Sequence, residues 1–97
     1  MAERRHYLVS YDIADDKRRD KVFHILHGCG DHAQYSVFFC ELNGRELAQL
    51  RIRLREVIHH REDQVMIVDL GRAERPLMDG LEVLGKGYEP RGRTMVI

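Results

Sequence analysis

An α+β sandwich of order βαββαβ, the ferredoxin-like arrangement, is predicted for this 97-residue chain on three observations. Two stretches carry apolar residues at helical spacing, and each follows a β-rich stretch. The segment between them is extended and long enough for two strands. A last β-rich stretch closes the set before the composition turns to glycine and proline.

The elements follow in order. Tyr7 to Ile13 is β-rich and stops at the turn-and-cap cluster Ala14-Asp15-Asp16. A helix is expected from about Lys17 to Gly28. Val22, Ile25, Leu26 and Cys29 form its buried stripe, Asp15 or Asp16 caps its start, and Gly28 and Gly30 stop it. His32 to Leu42 is extended, with a break near Gln34-Tyr35 that leaves a longer strand from Ser36. Asn43 and Glu46 have capping-box spacing. The helix they open is expected to reach about His60 and to bury Leu47, Leu50, Leu54, Val57 and Ile58. A strand from Gln64 to Leu70 ends at Gly71. Residues 1–71 thus make a core and 72–97 an extension, punctuated by Pro76, Gly80, Gly85, Gly87, Pro90 and Gly92. Leu77, Leu81 and Leu84 allow one short helix there, and Thr94 to Ile97 reads as an extra C-terminal strand.

The strand faces predict a partner. Val37 and Phe39 point one way while Phe38, Cys40 and Leu42 point the other; Val65 and Ile67 oppose Met66, Val68 and Leu70. Strands apolar on both faces are buried on both faces, and two helices cover only one. A second copy is the simplest cover, so a homodimer is expected, with the terminal strand docking on the partner's edge.

Composition narrows the class. A chain of this length is one domain with a thin core. Arg4, Arg5 and His6 lead into an apolar run that soon meets Asp12, which is no leader pattern, and no stretch approaches the roughly 20 apolar residues of a membrane span. A cytoplasmic protein that engages no membrane is expected. Cys29 and Cys40 suggest no disulfide framework. Sixteen basic residues balance 16 acidic ones, so charge alone does not mark a nucleic-acid binder. All the basic residues except Lys17, Lys21 and Lys86 are arginine, the side chain that grips phosphate through a planar fork, although a GC-rich genome gives the same bias.

Asp12 stands out among residues that carry chemistry. A carboxylate near the end of an apolar strand is costly unless paired or bound to a cation. Alternation puts Leu8, Ser10 and Asp12 on one face and Tyr7, Val9, Tyr11 and Ile13 on the other. With the latter under the helices, Asp12 lies on the face that meets the partner, and two such carboxylates near a two-fold axis call for a hard divalent cation such as Mg²⁺, with Mn²⁺ as the alternative. That ion could activate water for phosphodiester cleavage. Spacing alone reads Asp12 first as the residue that initiates the turn. Arg18 and Arg19, at the edges of the first helix's stripe, are candidates for phosphate contacts. Arg51 and Arg55 share one flank of the second helix, which serves either as a phosphate-tracking surface or as a solvated face. Tyr35 is a candidate for base stacking and Ser36 for a hydrogen bond at the strand break. His24, His27, Cys29 and His32 match no strong zinc spacing.

Two motifs carry a resemblance. Tyr11-Asp12-Ile13-Ala14-Asp15-Asp16-Lys17-Arg18-Arg19 resembles the Y-D-I/V-x-D-D-x-x-R opening of the CRISPR-associated Cas-Two family. Gly30-Asp31-His32-Ala33-Gln34-Tyr35-Ser36-Val37-Phe38 is similar to its second signature, which ends Q-x-S-V-F. The resemblance spans about residues 6 to 70. It implies a ferredoxin-like homodimer, Mg²⁺ held by Asp12 of both subunits, and assembly with the CRISPR integrase during spacer acquisition. It also implies handling of DNA or RNA without strong sequence preference, and members are assigned metal-dependent endoribonuclease or double-stranded DNA endonuclease activity. His32 stands where the family often has arginine, a departure at a candidate nucleic-acid contact.

Overall fold

A computed structural model of the chain describes residues 3–88. It runs β1 (Arg5–Asp12), α1 (Asp16–His27), β2 (Gly30–Gln34), β3 (Val37–Leu42), α2 (Gly44–Val57) and β4 (Gln64–Arg72), then a 3₁₀ turn at Leu77–Gly80. The strands form one antiparallel sheet of order β2-β3-β1-β4. This is the ferredoxin-like α+β arrangement expected from the element order. The strand expected at Thr94 to Ile97 lies outside the described residues. No helix among the described residues is long and apolar enough to cross a membrane.

Both helices pack on one face of the sheet. Tyr7, Val9 and Tyr11 of β1 and Phe38, Cys40 and Leu42 of β3 meet Val22 and Leu26 of α1 and Leu47, Leu50 and Leu54 of α2 in a single buried cluster. Each of those strand residues is two positions from the next, so alternation alone delivers them to the helices. Phe38, Leu26, Leu50 and Val9 are among the largest fully enclosed side chains.

Local chemistry fixes the helix ends. Asp15 accepts a hydrogen bond from the Arg18 N–H and starts α1. Asn43 and Glu46 complete a reciprocal capping box at α2. Glu46 also takes the Arg4 guanidinium at 2.8 Å, which in turn holds Glu41 at 2.8 Å, tying the start of β1 to the end of β3 and the start of α2.

Several boundaries differ from those expected; β1, for example, spans Arg5–Asp12 rather than Tyr7 to Ile13. Gly28 closes α1 in ordinary right-handed backbone, while Gly30 belongs to β2. A Cβ on Gly30 would stand 2.3 Å from the Phe39 carbonyl and 2.8 Å from the Cys40 sulfur, so only glycine lets β2 approach β3 there. α2 ends at Val57, short of His60, because Ile58 turns extended (ψ 157°) and His59 opens a turn closed by its carbonyl on the Asp63 N–H at 2.9 Å. β4 runs past Gly71, which adopts φ +103°, to Arg72.

The other sheet face is only half covered, and the cover comes from the same chain. Residues after β4 cross it near the start of β1: His6 Nε2 lies 3.0 Å from the Arg75 carbonyl, and Tyr88 packs edge-on against Phe39 with ring centres 5.6 Å apart. A cavity of about 220 Å³ remains beneath this strap, with Leu8, Phe39, Leu70, Leu77 and Leu81 among its walls. Beyond the strap the described residues leave this face uncovered, and Met66 and Val68, paired with Ser10 and Leu8, are 53 % and 47 % exposed.

Candidate metal and nucleic-acid site around Asp12

Asp12 ends β1 on this open face, register-paired with Gln64 of β4. Its side chain is exposed. Among the described residues it has no hydrogen-bond or ion-pair partner, unlike nearly every other acid at this end of the sheet. Alternation along β1 thus presents the carboxylate to the outside, while Tyr11 and Ile13 on either side of it are buried.

The turn between β2 and β3 stands at the same end. The Tyr11 N–H donates to the Ser36 carbonyl at 3.1 Å, so Ser36 engages β1 through its backbone. His32 Nε2 lies 3.1 Å from the Tyr35 carbonyl, and its ring packs against Phe23 and Phe38. Held that way, His32 closes the turn and Tyr35 stands 84 % exposed at its tip. The fold therefore brings Asp12, Tyr35 and Ser36 to one edge.

The two arginines of the first motif are engaged within the chain. Arg18 donates from Nε to Asp63 at 2.8 Å and from a terminal nitrogen to Glu62 at 3.2 Å. Arg19 holds Asp16 at 2.6 Å and reaches the Ile13 carbonyl at 3.2 Å, one residue beyond Asp12. Arg51 and Arg55 are exposed on α2, in the helix layer, on the far side of the sheet from the Asp12 carboxylate.

Asp63 was not singled out by the sequence. Its side chain has no solvent exposure and accepts from the Ala14 N–H (2.9 Å), the His59 N–H (2.7 Å) and Arg18. The Arg18 hydrogen bond, helped by these two backbone donors, holds the Asp63 carboxyl well below the usual carboxylate range. The only sequence signal was an acid just ahead of a β-rich stretch, where an ordinary turn residue is the default.

Among the described residues no three His, Cys, Asp or Glu side chains gather around one point that could hold a metal ion. One exposed, unpartnered carboxylate is nevertheless a suitable oxygen donor for a hard divalent ion that keeps most of its waters.

Fold and site together define a small antiparallel α+β sandwich that presents a lone carboxylate at the end of an inner strand. Residues 5–76 match the family described as CRISPR associated protein Cas2, and the chain belongs to that family. A Geobacter sulfurreducens protein described as CRISPR-associated endoribonuclease Cas2 is 37 % identical over 91 residues, covering 94 % of this chain and 95 % of its own. A Thermus thermophilus protein described as CRISPR-associated endonuclease Cas2 2 is 37 % identical over 94 residues, covering 97 % of each chain. The crystal structure of Streptococcus pyogenes Cas2 superposes with a TM-score of 0.73 at 27 % identity, covering 82 % of this chain and 99 % of that one.

Proposed function

We propose that this chain acts in CRISPR adaptation, as a cytoplasmic homodimer that holds nucleic acid and partners the CRISPR integrase subunits. The observation that carries this reading is the open sheet face, where exposed Met66 and Val68 share a surface with the unpartnered Asp12. A second copy laid against that face covers the apolar side chains and brings a second Asp12 into the same region. Exposed Arg51 and Arg55 supply phosphate contacts that read no sequence. Arg18 and Arg19 reach a phosphate only by exchanging a carboxylate for it.

A second reading, metal-dependent cleavage of RNA or double-stranded DNA, is favoured by the endoribonuclease and endonuclease descriptions of the relatives and by the free Asp12. A bound Mg²⁺, or Mn²⁺ in its place, would neutralise phosphate charge and activate water there. Asp12 would anchor the ion, and Tyr35 would stack on a base beside the scissile bond.

Asp12→Asn separates the two readings. The change is at an exposed position, so stability should stay within about 0.5 kcal/mol of wild type. If the chain is a nuclease, metal-dependent cleavage by the purified variant should fall at least about 100-fold, because the amide keeps the shape and loses the charge that holds the ion. If it is a scaffold, spacer acquisition in cells carrying the integrase should persist with the variant. Wild-type-level cleavage by Asp12→Asn, freed of contaminating nuclease, would remove Asp12 from the metal site.

A further inference from the structure

We propose that Asp63 is a positioning residue for Asp12, tying the backbone just after it to the entry of β4 beside it; the link to metal rests on the reading of Asp12 as the metal ligand. The geometry is specific. Asp63 is covalently joined to Gln64, the residue register-paired with Asp12 across the β1–β4 ladder. Its carboxylate also accepts the N–H of Ala14, two residues beyond Asp12, at 2.9 Å. The Asp63 side chain therefore ties the chain just after Asp12 to the residue that enters β4 beside it.

The remaining contacts hold the clamp itself in place. The His59 N–H at 2.7 Å and the Arg18 Nε at 2.8 Å, with a second Arg18 nitrogen at 3.2 Å, fill the rest of the carboxylate's acceptor capacity. Arg18 comes from the first turn of α1 and His59 from the turn after α2. The exit of β1, the start of α1 and the entry to β4 thus meet on one enclosed anion. An ion pair with one partly exposed partner adds little net stability, whereas this one joins three segments in a single arrangement. An exposed strand end that must aim one carboxylate gains more from the second property than from the first. The Asp12 carboxylate itself receives no hydrogen bond from Asp63, so the clamp aims it only through the backbone that carries it.

The test uses the full chain, with Mn²⁺ as the probe, at a temperature far below melting. Asp63→Asn keeps the shape and puts an amide N–H₂ where a backbone donor needs an acceptor. Two readouts are taken by NMR on labelled protein. The first is amide exchange and backbone order at Asp12 and Ala14, with Val9 and Phe38 in the core as internal references. The expected result is at least about tenfold faster exchange at Ala14 and lower order at Asp12, with the references unchanged. The second is Mn²⁺ affinity from paramagnetic broadening around Asp12, expected to weaken about tenfold. Arg18→Gln, which removes the guanidinium and leaves both backbone donors, is the second variant should Asp63→Asn not fold; a smaller change in the same direction is expected.

The outcomes are distinguishable. If wild type shows no Mn²⁺ broadening, or if Asp12→Asn leaves it unchanged, the metal reading fails and the amide readout alone decides the positioning role. If Asp12→Asn abolishes the broadening while Asp63→Asn keeps wild-type affinity and wild-type order at Asp12, the positioning role is overturned and the metal reading stands. A uniform loss of protection across Val9, Phe38 and Ala14 alike also overturns it, because Asp63 would then support the fold in general.

Discussion

One carboxylate, that of Asp63, joins three segments of this protein. The Asp63 carboxyl is held below its ordinary range in the folded chain, first by Arg18 and then by the backbone donors of His59 and Ala14. A depressed folded value means that the stabilisation is fully present above the unfolded value, about 4, and is lost as pH falls below it. Urea unfolding should therefore show wild type losing stability faster than Asp63→Asn as pH drops from about 5 towards about 2. A constant gap between the two proteins over that window would show that the ionised clamp contributes nothing. Arg18 belongs to the same unit, and this changes how its conspicuous place in the first motif is understood. Its position suggested a free cation for phosphate, whereas its guanidinium is pinned by Asp63 and Glu62. No sequence pattern reveals that, because the partner lies 45 residues away.

At the scale of elements, much was legible because the signals are local. Alternation placed Tyr7, Val9 and Tyr11 under the helices and Asp12 on the opposite face, and helical spacing identified Val22, Leu26, Leu47, Leu50 and Leu54 as core. The Asn43–Glu46 box is local too, and both of its hydrogen bonds are formed. Asn43→Ala should cost about 1 kcal/mol, read as a lower thermal midpoint. What escaped was decided by distant neighbours. Gly30 read as a helix stop, yet its role is to let β2 lie against Phe39 and Cys40. Gly30→Ala should destabilise the chain more than Gly44→Ala, whose added methyl meets nothing within 4 Å; the comparison of their melting temperatures checks the point. The early end of α2 escaped for the same reason, since the turn after it is shaped by the Asp63 carboxylate. The strap after β4 shows only as leucines among glycines and prolines, and nothing in that texture says which surface it covers.

At the scale of the whole molecule, the half-open sheet face is the feature that association must explain. Met66 projects from it with 53 % of its surface exposed. Met66→Glu should turn a sheet-to-sheet dimer into monomers by placing two carboxylates in its apolar centre, while leaving the monomer's melting temperature nearly unchanged, because the side chain adds little to the core. Sedimentation at micromolar concentration measures the first effect and thermal unfolding the second. A dimer that survives the change uses another surface. With no net charge on the chain, binding to duplex DNA should be weak without the integrase and should fall steeply with added salt, as phosphate contacts release counterions. Binding that ignores salt would rule out arginine–phosphate contacts as its source.

β1 precedes the other described strands along the chain, yet it is an inner strand of the finished sheet, between β3 and β4. Its two ladders are therefore completed at very different times during synthesis. The β3 side closes once Leu42 has emerged, as the partner of Arg5. The β4 side stays a bare row of peptide groups until Gln64 to Arg72 follow. Through that interval the nascent chain carries an unpaired edge along Tyr7 to Tyr11, the kind of edge that recruits strands from neighbouring chains. The last strand of the described core thus covers β1 and hands the sheet's free edge on to its own outer side, so the exposed row moves from an apolar inner strand to β4.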